Sequence, residues 1–204
     1  MTKWRLLVLV FGISIAADQV TKFLAVDRLT HAFEVAGAHT LAERASAFVR
    51  LEHLERYADE PFYVFRPLWR MTYVENPAAA FGLFHGVPER LRYPLFVVVT
   101  IAAVVFVLGA YRKVGERHRW EQVALALILA GALGNFADRV ARGYVIDFID
   151  WYWWNRPDLR WPTFNVADSS LVVGVAMLLL QPKRKVAGEQ RGERSRAGAA
   201  GHSR

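Results

Sequence analysis

Apolar residues run through this chain in long blocks, not in the three- and four-residue steps of a helix with one watery face. Four blocks, 4–26, 91–111, 121–140 and 164–181, reach or nearly reach the roughly 20 residues that cross about 30 Å of hydrocarbon. The pattern predicts a mainly α-helical membrane protein with four spans. Between the first two blocks the period changes. Thr40 and Glu43 read as a capping box, and Leu41, Ala45, Phe48, Leu51 and Leu54 then fall on one helical face. That helix is expected to lie on the membrane or on the bundle. After Pro61, residues 62–65 and 71–74 are aromatic and β-branched enough for short strands, and Asn76-Pro77 marks a turn.

Charge orients the spans. Arg112, Lys113, Arg117 and Arg119 lie between the second and third blocks, Lys3 and Arg5 precede the first, and Lys183, Arg184 and Lys185 follow the fourth. Basic residues favour the cytoplasmic side, so both termini and the middle loop are expected there, with 27–90 and 141–163 outside. Trp151, Trp153, Trp154 and Trp161 suit an outer interfacial belt. The first block has the basic start of a cleaved signal peptide. Its length, its helical continuation through Asp18, Thr21 and Lys22, and the odd number of spans its loss would leave argue for retention.

Composition narrows the chemistry. The 204 residues are 54% hydrophobic and contain no cysteine, which excludes disulfides, thiolate metal sites and a cysteine nucleophile. The net charge of +7 resides mostly in 183–204, a tail rich in Arg, Gly and Ala without aromatics. It reads as a disordered cytoplasmic extension near anionic lipid, not as a nucleic-acid binder. The expected domains are a membrane domain over 1–182, with an outer insertion at about 27–90, and the tail. Neither HExxH nor GxSxG occurs, so zinc-protease and serine-hydrolase readings fall away.

Asp18, Asp138, Asp147, Asp150 and Asp168 sit in or beside apolar blocks, where an ionised carboxylate is costly and marks function. The third block runs outward and the fourth returns, so Asp147 and Asp168 come to similar depth. Two carboxylates at one depth split their titrations, leaving one ionised and one neutral near neutral pH. That is aspartic-protease chemistry, and it needs no cofactor or metal. Each aspartate also has a plainer role: Asp138 pairs with adjacent Arg139, Asp168 caps the fourth span, and Asp150 is solvated among tryptophans. Ser14, Asp18 and Lys22 form a stripe at spacing four, so Asp18 and Lys22 can pair. Asn135 and Asp138 share a helical face, and Ala130 and Gly134 form a small-residue face suited to close helix packing. A proton-coupled transporter is the rival from another class, and a scaffold of buried charges a second. The acids gather at one membrane face instead of tracing a path across, which disfavours transport.

Five motifs then occur in order: Asp18-Gln19-Val20-Thr21-Lys22, Asn76-Pro77-Ala78-Ala79-Ala80-Phe81-Gly82, Gly134-Asn135-Phe136-Ala137-Asp138-Arg139, Val145-Ile146-Asp147-Phe148 and Phe164-Asn165-Val166-Ala167-Asp168-Ser169. Together they resemble the lipoprotein signal peptidases (signal peptidase II), bacterial inner-membrane aspartic proteases. The resemblance implies a four-helix transmembrane bundle with a small periplasmic β-cradle and a periplasmic helix. It implies cleavage of prolipoprotein signal peptides just before a diacylglyceryl-modified cysteine, near the periplasmic face of the inner membrane. Asp147 and Asp168 take the catalytic positions. Asp18, Lys22, Asn76, Asn135, Asp138, Arg139 and Asn165 take supporting or substrate-binding ones. The expected partners are diacylglyceryl-modified prolipoproteins and membrane lipids, with the enzyme acting as a monomer. Two features depart from the family: Ala78 stands where Gly is usual, and 31–60 is longer than expected.

Overall fold

In a computed structural model, residues 1–50, 54–77, 88–154 and 156–180 are described. The helix α1 (Lys3–Leu29) starts at Thr2, whose hydroxyl accepts from the Arg5 amide. The short helices α2 (Ala32–Val35) and α3 (Leu41–Arg50) and a 3-10 turn (Leu54–Tyr57) follow. Strands β1 (Phe62–Phe65) and β2 (Trp69–Asn76) precede α4 (Glu89–Lys113) and α5 (Arg119–Arg142). Strands β3 (Val145–Trp153) and β4 (Arg156–Arg160) and helix α6 (Val166–Leu179) complete the described chain.

Lys3–Leu29, Pro94–Lys113 and Arg119–Arg142 are long and apolar enough to cross a membrane, while α6 is a shorter apolar helix of 14 residues. Their outward faces carry bare hydrocarbon, for example Val8, Ile13, Val98, Phe106 and Val172. Helices apolar on the exposed side suit lipid as solvent. At one end of the bundle, Leu7, Val107, Tyr111, Leu125, Ala126 and Leu129 join α1, α4 and α5. There Lys3 Nζ donates to the carbonyls of Arg112 and Val114 at 2.9 Å each, tying the amino terminus to the α4–α5 loop.

The opposite end carries a four-stranded antiparallel sheet in the order β1-β2-β3-β4. The β1 and β2 expectations hold, with β2 longer at both ends. The stretch 141–163, read from sequence as an outer loop with a tryptophan belt, instead supplies two of the four strands. The first half of β3 is buried on both faces because α1, α5, α2, α3 and the Leu54–Tyr57 turn pack around it. Its second half alternates, leaving Trp151 and Trp153 exposed. Asp150, expected to be solvated, is fully buried. It lies across from Arg70 in the β2–β3 register, and Arg70 Nε donates to its Oδ2 at 2.7 Å. Neighbouring charge made the buried carboxylate tolerable, and only strand pairing supplies that neighbour.

The α3 capping box is present: Glu43 Oε2 accepts from the amides of His39 and Thr40, and Thr40 Oγ1 from the Glu43 amide. Its buried face differs from the expected one. Phe48 and Ala47 enter the core, but Leu41 is 74% exposed and Ala45 is also exposed. Phe23, Phe33 and Phe48 form an aromatic cluster that sets this rotation. Leu51 lies outside the described residues, as do Ala78 and the basic tail.

Close approach of α5 and α6 brings the two carboxylate-bearing segments together. A Cβ on Gly131 would stand 2.4 Å from the Ala167 carbonyl oxygen, and one on Gly134 2.9 Å from Asp18 Oδ2. The Gly131→Ala protein is expected to lose about 1–3 kcal/mol of stability, because the obstructing atom is backbone and α6 must move. Thermal unfolding in detergent measures this, and an unchanged midpoint would show that the helices separate freely.

Candidate active site

Five elements deliver the nine residues singled out from the sequence. Asp18 and Lys22 come from α1, Asn135, Asp138 and Arg139 from α5, Asn76 and Asp147 from paired strands β2 and β3, and Asn165 and Asp168 from the start of α6. Asn165 is the N-cap of α6 and Asp168 its third residue, and they form a reciprocal capping box. The Asn165 side chain accepts from the Asp168 amide at 3.0 Å, and Asp168 Oδ2 accepts from the Asn165 amide at 3.2 Å. The capping role expected for Asp168 therefore coexists with its place in the site.

Asparagine amides bridge the two carboxyl groups. Asn165 Nδ2 donates to Asp147 Oδ1 at 2.7 Å and lies 3.0 Å from Asn135 Oδ1 and 3.2 Å from the Ile146 carbonyl. Asn135 Nδ2 donates to Asp168 Oδ1 at 2.7 Å. Asn76 Nδ2 donates to Asp147 Oδ2 at 2.9 Å, a contact made possible because the end of β2 lies beside the start of β3. Asp147 is buried, Asn165 fully so, and Asp168 is half-buried. Burial, and then the Asp168 charge, push the Asp147 carboxyl up to about 7. The amides of Asn76 and Asn165 and the charge of Lys22 hold it from rising further.

Behind this pair lies a buried ionic cluster. Lys22 Nζ pairs with Asp18 Oδ2 at 2.8 Å and Asp138 Oδ2 at 2.7 Å, and donates to Asn135 Oδ1 at 3.2 Å. Asp18 Oδ1 accepts from the Ala167 amide at 2.9 Å, fixing the first turn of α6. The Asp18–Lys22 pair is the one predicted from their spacing. The expected Asp138–Arg139 pair is not formed: Asp138 bonds Arg142, at 2.8 Å, and Lys22. Successive helical residues point in different directions, whereas residues four apart meet. Arg139 instead lies over the Phe96 ring at 4.3 Å and donates to the Asn135 carbonyl at 3.2 Å. Its charge still acts on Asp168, Asp147 and Asp138, without a direct ion-pair contact to the last.

Sequence reasoning missed two members of the cluster. Gln19 Nε2 reaches Asp18 Oδ2 and Asp138 Oδ1, both at 3.1 Å, and Arg142 neutralises Asp138. The four-residue spacing from Asp138 to Arg142 was the available signal for the latter. Gln19 stands inside the first motif, but its contact with Asp138 depends on how α1 crosses α5.

The chain matches the family profile described as Signal peptidase (SPase) II over residues 10–182. It belongs to the signal peptidase II family. The matched region contains all nine site positions and stops before the basic tail. A lipoprotein signal peptidase of Anaeromyxobacter sp. (strain Fw109-5) is 58% identical over 191 residues, covering 94% of this chain and 90% of that one. Another, from Geobacter metallireducens, is 37% identical over 177 residues, covering 87% and 90%. Two solved structures, each described as a bacterial membrane enzyme studied by the in meso method, both give a TM-score of 0.59. They are 26% and 28% identical, covering 88% and 87% of this chain and 93% and 94% of theirs. Signal peptidase II membership makes the chain a peptide-bond hydrolase and leaves the transporter reading without support.

Proposed function

We propose that Asp147 and Asp168 are the catalytic pair of an aspartic endopeptidase that removes the signal peptide of prolipoproteins, cutting just before a diacylglyceryl-modified cysteine. The observation carrying this is the amide bridge. Asn165 and Asn135 hold one oxygen of each carboxyl group and contact one another. Near neutral pH the pair shares a proton. The ionised partner takes a proton from water as the water attacks the scissile carbonyl. The neutral partner donates to the carbonyl oxygen, and a proton then passes to the leaving amine. Lys22, Asp18, Asp138 and Arg139 hold the two segments and set the local charge, while Asn76 orients Asp147. With α6 crossing beside α1, α4 and α5 and both termini cytoplasmic, the pair lies near the periplasmic face, next to the paired ends of β2 and β3. A lipid-bearing substrate enters laterally from the bilayer.

Detergent-solubilised protein is expected to cleave a diacylglyceryl-modified precursor and to leave the same precursor without lipid intact. Quantitative gel shift measures both. Equal cleavage of the two would remove the lipid requirement while leaving peptidase activity in place.

A further inference from the structure

None of the nine site residues lies in the 31–57 region, yet that region is tied to them through Arg142. Arg142 closes α5 and is 7% exposed. Its Nε donates to the Phe48 carbonyl of α3 at 3.0 Å, and its guanidinium lies 4.0 Å over the Phe48 ring. Its Nη1 donates to Asp138 Oδ1 at 2.8 Å. From there the contacts run on: Asp138 Oδ2 to Lys22 Nζ, Lys22 Nζ to Asn135 Oδ1, and Asn135 Nδ2 to Asp168 Oδ1.

We propose that Arg142 is a positioning residue for Asp168, and that α3 is the element holding Arg142 in its working rotamer. This rests on the assignment of Asp147 and Asp168 as the catalytic pair. The physical basis is the division of Lys22 among three oxygen acceptors. Lys22 contacts Asp18, Asp138 and Asn135. Arg142 holds Asp138 Oδ1 while Lys22 holds Oδ2, so the ammonium keeps its longer contact to Asn135. Without Arg142, Asp138 Oδ1 loses its cationic donor and turns to the same ammonium, competing with Asn135 for its hydrogens. The Asn135 side chain then loses a donor on its oxygen and swings its Nδ2 off Asp168. Asn165 Nδ2 shares that oxygen, so both sides of the amide bridge loosen. Lysine at 142 keeps the charge four residues from Asp138 but gives up the fork that grips Phe48.

The test compares the parent with Arg142→Gln and Arg142→Lys proteins in detergent, reading kcat, KM and the unfolding midpoint on the lipid-modified precursor. Arg142→Gln is expected to lower kcat about tenfold with KM nearly unchanged, since misplacing a reacting group penalises the chemical step. Arg142→Lys is expected to recover part of that loss through its charge and to stay below the parent because it lacks the grip on Phe48. Parental kcat in Arg142→Gln, a change confined to KM, or a lysine variant as slow as the glutamine one overturns the proposal. If Arg142→Gln does not fold, Phe48→Ala decides. It leaves the Arg142 charge in place but removes its aromatic platform, so a lower kcat at constant KM supports the role and parental kcat overturns it. Normal cleavage by Asp147→Asn or Asp168→Asn removes the catalytic assignment itself. Parental kcat in Arg142→Gln, with both aspartate variants inactive, removes only the positioning role.

Discussion

Asp147→Asn and Asp168→Asn proteins are expected to fold and to cleave the lipid-modified precursor at least about a thousandfold more slowly than the parent. Asparagine keeps the shape of the carboxyl group but can neither accept the proton of the attacking water nor pass one on. Folding is expected to survive because the substitution also removes a buried like charge. Each carboxyl oxygen that accepts an amide hydrogen, at 2.7 Å from Asn165 and 2.9 Å from Asn76 for Asp147, has one counterpart in the new carboxamide. The other becomes a donor facing a donor, and rotation of Asn76 relieves the mismatch more readily than any shift of the fully buried Asn165. Cleavage at parental rate by either folded variant would falsify the assignment.

A pH signature accompanies this prediction. The Asp147 carboxyl is raised from 3.8 to about 7, first by burial and then by Asp168. Between those values the folded protein keeps a proton that the unfolded chain has released, so stability falls as pH rises. The contribution of Asp147 is complete below about pH 4 and lost as pH passes through about 7. The Asp147→Asn protein has no such proton and should show a flatter unfolding midpoint across that window. Identical pH slopes for parent and variant would mean that Asp147 titrates as an ordinary exposed acid.

Removing Lys22 should produce the largest loss of stability. Its ammonium sits 2.8 Å from Asp18 and 2.7 Å from Asp138, and all three side chains are at most 1% exposed. Lys22→Met leaves two buried carboxylates with Arg142, Gln19 and the Ala167 amide as their polar partners. Breaking a buried ion pair on one side costs about 3–5 kcal/mol, because the stranded charge remains desolvated. Activity should fall with it, since Asp18 anchors the turn that carries Asp168 and the Lys22 charge favours ionised Asp147. Adding Asp18→Asn and Asp138→Asn to Lys22→Met removes the stranded charges. The triple variant should regain much of the stability while staying inactive. A single variant that unfolds at the parental midpoint would show that the cluster is not what joins α1 to α5.

Local features of the chain were readable where one element contains the whole interaction. The Asp18–Lys22 pair, the Thr40–Glu43 capping box and strands 62–65 and 71–74 all follow from spacing within a single helix or strand. The same spacing rule, applied to Asp138, points to Arg142 and not to Arg139. Adjacent residues on a helix diverge by about 100°, so local geometry alone favours Arg142. Asp150 is different in kind. Its surroundings in sequence are tryptophans, and its partner Arg70 arrives only because β2 and β3 pair across a long loop closure.

The order of apolar blocks and the basic ends predicted a membrane protein with Asp147 and Asp168 at one depth, because hydropathy and span polarity are properties of composition along the chain, and the resemblance carried by the five motifs pointed to a peptidase using that pair. Which amides bridge those carboxyls, where Asp138 finds its counter-charges, and why Gly131 and Gly134 must lack side chains depended on helix crossing and strand register. Those contacts join residues far apart in sequence, and their geometry exists only once α1, α5, α6 and the sheet have closed around one another.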